Sequence, residues 1–357
     1  MNTTSERIRL LRPLLIFLIV ITHIQGNLYR PDMKNITLDF SSFFHSYLSG
    51  IISVSALPLL SVISGYLAVY TYNKYRYSNI LINKINRILI PMLFWNLIMV
   101  FYIYSFQVEG VGFRKDLVLH PLNMENWFYA LTGIFRLPAN QPLYFLKELF
   151  TCFILLPIFF TISKSRILTA IALLTVAYMS VNKINLGFIH RIDIYGFFLI
   201  GLLINNNNVA DIYKKHATIK NKTLYLIFFI IATIALNLYA YKESHSNFIH
   251  YMKILTLIGP LAFWILSEYI SGRWKKLLLW VSPASFSVFL GHILILNLAW
   301  SVWRHNLKIN PITNHYWLYW LSSIILCYLV MGSLNYLYGK ALQRLKLKLL
   351  AQSIPAN

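Results

Sequence analysis

Ten runs of apolar residues, each close to the length of a membrane-crossing helix, decide what this chain can fold into. A hydrocarbon core of about 30 Å needs about 20 apolar residues in a helix. Stretches 11–29, 47–72, 87–107, 143–162, 166–182, 192–206, 223–241, 252–271, 277–301 and 316–338 fit that requirement or approach it. The shortest is 166–182, and 192–206 reaches full length only by extending back towards His190. Inside lipid a backbone must satisfy its own hydrogen bonds, which a helix does within one segment. The expectation is an all-α, polytopic membrane protein with about ten transmembrane helices. Composition agrees, because only 12% of the 357 residues are charged where a soluble domain carries about 25%. A soluble enzyme, a disordered chain and a coiled coil are excluded.

Charge gives the orientation. The net charge of +21 could suggest a nucleic-acid partner, but the basic residues stand in short groups between the apolar runs, as topology signals do. No nucleic acid is expected. Counted on alternate sides, 20 Lys and Arg fall with Arg7, Arg76, Arg166, Lys214, Lys215, Lys275 and Lys340, and 11 fall on the other side, with Lys147 inside a span. The positive-inside rule then places both termini in the cytoplasm. The basic start and the run Leu14–Ile21 resemble a signal peptide, but no small-residue cleavage site follows and His23 interrupts the run. Residues 1–357 read as one membrane-embedded domain with its core at about 7–340 and no appended soluble domain. The connection 107–142 holds Trp127, Phe128, Tyr129 and Phe135, which places part of it in the interface. Cys152 and Cys327 lie in apolar runs and imply no disulfide framework.

Ionisable groups inside spans are costly and therefore candidates for function. Arg12 and His23 are eleven residues apart. Eleven steps of about 100° return to nearly the same helix face about 16 Å further on. Arg12 would stand at the cytoplasmic mouth with His23 deeper on the same line, so a phosphate-bearing substrate held at Arg12 could reach the imidazole. A snorkelling Arg and a hydrogen-bonded structural His are the plain alternative. Ser285 and His292 share a face seven residues apart. Tyr144, Lys147, Glu148 and Thr151 form a polar stripe at helical spacing. Lys147 and Glu148 are neighbours in sequence and do not face each other, so each is expected to find a partner on another helix, and a structural ion pair competes with a catalytic role. Ser61, Ser64 and Gly65 read as a close-packing face. Lys84, Arg87, Arg273, Lys275 and Lys276 are flanking charges that matter only if a polyanion docks. Asp193 and Glu268 stand near span ends, where water can solvate them.

Several chemistries find no support. Gly-x-Ser-x-Gly, His-Glu-x-x-His and P-loop motifs are absent. The histidines at 45, 120, 190, 245, 250, 305 and 315 lack metal-ligand spacing, so no metal site is expected.

Arg12-x10-His23, Ser64-Gly65-Tyr66, the basic stretch Lys84-Ile85-Asn86-Arg87 before Pro91, Tyr144-Phe145-Leu146, and Ser285 to His292 occur in that order along nearly the whole chain. Together they resemble the integral-membrane acyltransferase family three, the bacterial sugar O-acyltransferases. Pro13 stands where that family usually has Gly, and Tyr144 where it usually has Trp; neither change removes a group the reaction needs. The resemblance implies an acyl-CoA donor in the cytoplasm, usually acetyl-CoA, no bound cofactor, and a glycan or lipid-linked sugar acceptor. It implies an enzyme of the bacterial inner membrane surrounded by lipid.

The residues point the same way. Coenzyme A is polyanionic, and Arg12, Arg87 and Lys84 offer phosphate partners at the inner face. Acyl transfer to a hydroxyl needs a base, and imidazole is the side chain best matched to neutral pH. His23 is the expected base, Arg12 the donor contact, and Tyr144, Glu148, Ser285 and His292 line the path or orient His23. The competing class is a transporter or flippase for a lipid-linked sugar, against which the lack of inverted repeats counts.

Overall fold

A computed structural model describes residues 3–24, 40–110, 114–184, 186–207, 209, 213, 217–240, 245–308 and 316–352. The end of the first apolar run (25–29), Lys214, Lys215 and His315 lie outside these. Among the described residues the chain is helical, with no strand. In order come α1 (Thr4–Thr22), α2 (Phe40–Ser46), α3 (Ala56–Lys74), α4 (Tyr77–Lys84), α5 (Ile90–Val108), α6 (Met124–Thr132), α7 (Tyr144–Ile154) and α8 (Leu156–Lys164). Then follow α9 (Arg166–Val181), α10 (Ile192–Asn206), α11 (Ile219–Ala240), α12 (His245–Tyr269), α13 (Gly272–Val281), α14 (Ser285–Ser301) and α15 (Tyr316–Gln352).

Five continuous helices are long and apolar enough to cross a membrane: Phe43–Lys74, Tyr77–Val108, Ile219–Tyr239, Gly272–Asn306 and Tyr316–Ala341. A sixth, Gln141–Ile154 with Leu156–Lys164, is bent by 67°. Its cause is Pro157 in the first turn of α8, which has no N–H to continue the α7 ladder. Before Pro91 the helix widens to a π-turn at Ile85–Leu89 without breaking, and it starts at Tyr77, ten residues before the third apolar run begins by hydropathy. The predicted runs 166–182 and 192–206 are helices of 16 and 15 residues. Helix α1, which holds the described part of the first run, also carries Glu6, Arg7, Arg9 and Arg12.

The chain divides into two compact units, one made of Met1–Arg30 with Ser267–Asn357 and the other of Pro31–Leu266. In the middle unit, α3 and α10 are pressed backbone to backbone. A Cβ on Gly65 would lie 2.0 Å from the Phe198 carbonyl oxygen, and one on Gly201 would lie 2.1 Å from that of Val62. Without a hydrophobic drive in lipid, helices associate by such close packing. The Asn205 amide locks the register by donating to the Tyr66 carbonyl at 2.8 Å. Helix α6 exposes Met124 and Phe128 while burying Ala130. Arg114 grips Asp116 with two hydrogen bonds, holding that carboxyl below its ordinary range, and also donates to the Ala139 carbonyl.

In the terminal unit α1 starts at Thr3, whose hydroxyl caps the Glu6 N–H. Helices α14 and α15 run antiparallel: Trp300 packs on Tyr319 at 5.6 Å, and Cys327 lies against the His292 carbonyl. Tyr328 on α15 donates to the Pro13 carbonyl of α1 at 3.3 Å. Leu11, Leu15, Val20 and Ile21 of α1 are fully buried.

Candidate functional site

His23 is the residue at which α1 stops. Its N–H still bonds to the Val20 carbonyl, but the chain has already left helical continuation, so its ring stands at the end of the helix rather than along it. The ring is half-buried. Against it packs His292, seven residues into α14 and fully buried, with ring centroids 5.4 Å apart and planes at 47°. Thus two of the residues singled out from sequence, 269 positions apart, meet in one unit. Among the described residues no acidic side chain bonds to either imidazole.

The His292 ring is fixed by its own helix. Its Nδ1 lies 2.8 Å from the Phe289 carbonyl oxygen. Only an N–H can make that contact favourable, which assigns the proton to Nδ1 and leaves Nε2 with its lone pair. Nε2 is buried and has no partner.

Arg12 lies on α1 and is exposed. It makes no ion pair with a described residue, unlike Arg7 on the same helix. Arg7 pairs with Glu268 at 2.8 Å, both side chains only 9% exposed, and its Nε donates to Ser267 at 2.9 Å. Glu268 is therefore not the solvated group that its place near a span end allows, because the ion pair covers both side chains. Ser285 is buried and donates to the Val281 carbonyl of the preceding turn at 3.3 Å, which leaves it little freedom to act on another group.

The remaining singled-out residues belong to the middle unit. Arg87 is exposed in the π-turn before Pro91. Lys84 lies one turn earlier with its ammonium 3.9 Å from the Phe153 ring centroid, a cation–π contact. Tyr144 opens α7 and is half-buried. Glu148 is fully buried and saturated. Its Oε1 accepts from the Lys147 ammonium at 2.9 Å and from the His190 N–H at 2.8 Å, and its Oε2 accepts from the Tyr195 hydroxyl at 2.6 Å. Lys147 also donates to the Phe188 carbonyl. Glu148 finds the expected partner on another helix, Tyr195 of α10, but the expectation that Lys147 and Glu148 do not meet is corrected: the long lysine stem curls back to pair with Glu148 and reaches the Phe188 carbonyl before α10. His190 extends the cluster by bonding to the Gly133 and Arg136 carbonyls. Asp193 is not simply solvated either, since Arg191 holds it bidentately at 2.8 and 2.6 Å. This network ties α7, α10 and the connection 107–142 together.

Sequence reading missed His190, Arg191 and Tyr195 as members of that network. Arg191-x-Asp193 before an apolar run was its visible trace, because such a pair at a span entrance is expensive unless it has a use. The Arg7–Glu268 pair left no local trace at all, its members being 261 residues apart.

The family described as "Acyltransferase domain" matches residues 5–336. Among curated relatives is the succinoglycan biosynthesis protein ExoH of Rhizobium meliloti (strain 1021), 28% identical over 306 residues that cover 84% of this chain and 80% of the relative. No solved structure matches. The helices are those of a multi-pass membrane protein, and the match spans α1 with Arg12 and His23, α14 with His292 and nearly all that lies between: the chain belongs to the integral-membrane acyltransferase family three and is an O-acyltransferase.

Proposed function

We propose that this protein moves an acyl group, acetyl in the first instance, from cytoplasmic acyl-CoA to a hydroxyl of a cell-surface or lipid-linked glycan. The observation that carries the reading is the meeting of His23 and His292 at the end of the helix that bears an exposed Arg12, which makes no ion pair with a described residue. The relative's role in succinoglycan biosynthesis supports a polysaccharide as the acceptor class. Membership of an acyltransferase family speaks against a carrier without chemistry.

In this reading Arg12 grips donor phosphate with its planar fork. His23 takes the proton of the acceptor hydroxyl as its oxygen attacks the thioester carbonyl. The C–O bond forms, the C–S bond breaks, and the proton passes to the departing coenzyme A thiolate. The chain is read as one domain of about ten transmembrane helices, with both termini in the cytoplasm, in the bacterial inner membrane.

The test supplies membranes carrying the protein with radiolabelled acetyl-CoA or succinyl-CoA and a lipid-linked glycan. Label should appear on the glycan and be released by mild alkali, as an ester is. His23→Ala should reduce that transfer by about 10² to 10⁴, the usual loss for a general base. Absence of alkali-labile label from both donors would overturn the reading.

A further inference from the structure

We propose that His292 is a positioning residue that orients His23 through a direct imidazole-to-imidazole hydrogen bond. The proposal rests on His23 being the base, as read above.

Three features of the pair carry it. His292 has one committed nitrogen and one unsatisfied one: Nδ1–H is spent on the Phe289 carbonyl, so Nε2 can only accept. That acceptor is fully buried and has no donor, a state that costs free energy until one arrives. The second feature is separation. Two imidazoles joined by an N–H···N bond of about 2.9 Å have centroids about 5 Å apart. The observed 5.4 Å leaves only a turn of the His23 ring between the present packing and the bond. The third is freedom. His292 is locked inside α14, whereas His23 stands on the turn that ends α1, half-buried, its ring without a hydrogen bond to any described residue.

Once His23 donates to His292 Nε2, its tautomer is defined and its second nitrogen carries a lone pair pointing away from His292. That nitrogen is the one able to receive the hydroxyl proton. The resulting His23 imidazolium keeps donating to Nε2, and the bond strengthens because its donor is now charged. The proton then leaves His23 for the coenzyme A thiolate, and His292 ends as it began. A chain of backbone carbonyl, imidazole and imidazole thus does the orienting that a carboxylate does elsewhere, without burying a negative charge in lipid.

Four full-length variants test this in membranes or detergent: His23→Ala, His292→Ala, His292→Gln and His292→Asn. A Gln carbonyl reaches the position of Nε2, whereas Asn reaches only that of Nδ1. His292→Ala and His292→Asn should lower kcat roughly 10- to 100-fold, the range typical of groups that orient a functional histidine, with donor KM unchanged. His292→Gln should recover most of that kcat. Thermal unfolding of each variant identifies any that has lost its fold, and the Gln-to-Asn ratio at equal stability remains decisive if the Ala variant is unstable. Equal kcat for Gln and Asn, or wild-type kcat for Ala, would overturn the proposal. Acyl transfer surviving in His23→Ala would instead sink the reading of His23 as base, whatever the His292 variants do.

Discussion

At the scale of single residues, the distinction that matters is between charges that are spent and charges that are free. Arg7 and Arg12 look alike in sequence, yet Arg7 is closed into a pair with Glu268 and Arg12 is exposed without one. Arg12→Lys keeps the charge but loses the two-pronged grip on phosphate. Donor affinity, measured by competition with labelled acyl-CoA, should fall about tenfold with insertion and unfolding temperature unchanged. Unaltered affinity would make Arg12 a topology signal only. Glu148 is the opposite case. Three donors converge on its buried carboxylate, so Glu148→Gln leaves the Lys147 ammonium buried without its counter-charge. The loss should be about 3–5 kcal/mol, the usual cost of breaking a buried pair, seen as a lower unfolding temperature in detergent. A variant that lost activity at full stability would show that Glu148 takes part in the reaction instead. His23 and His292 were each visible in the sequence as an imidazole inside a span. That they touch was not, because nothing local encodes a contact between a helix end and a position 269 residues later.

Helices are held here by the residues with least side chain. Ser64-Gly65-Tyr66 was readable as a packing face, but its partner was not, since Gly201 sits in an apolar run with no spacing signal of its own. The structure supplies the reason for both glycines: each backbone occupies the space a Cβ on the other helix would need. Gly201→Ala should destabilise the protein by at least about 1–3 kcal/mol, because the obstructing atoms belong to the backbone and cannot rotate away. Gly332→Ala is the control. Its added carbon would meet only the Ala284 side chain at 3.9 Å, an ordinary contact, and the change should stay within about 0.5 kcal/mol. Unfolding in detergent compares the two, and equal effects would contradict the close approach of α3 and α10. Helix boundaries were the least legible feature at this scale. Hydropathy starts the third run at 87, whereas the backbone is helical from Tyr77, since a helix needs only satisfied hydrogen bonds and not an apolar surface to continue.

For the whole molecule the open quantity is how many of these helices cross the bilayer. Hydropathy counts ten, while length and composition in the structure support five continuous spans and a bent sixth. Ten crossings and six both place the two termini on one side, so fusions at the ends do not separate those counts, whereas five places the termini on opposite sides. The segment between α9 and α10 does. Helices of 16 and 15 residues are about 24 and 22 Å long, short of a hydrocarbon core of about 30 Å. Yet α10 is buried along most of its length, with Ile194, Phe197, Phe198, Leu199 and Leu202 covered by protein, and a helix so enclosed need not match the lipid thickness, which deforms around short spans at modest cost. The charge asymmetry of 20 against 11 also assigns Lys183 and Arg191 to the outer side. A reporter fused after Lys183 should therefore read external, as should one after Asn123, while fusions after Arg76, Arg166, Lys215 and Lys275 should read cytoplasmic. A cytoplasmic reading at Lys183 would mean that α9 and α10 enter and leave from the inner side. The Glu148 network, which ties the start of α10 to the outer connection through His190, would then have to lie at that same face, and the assignment of 107–142 to the outside would fail with it.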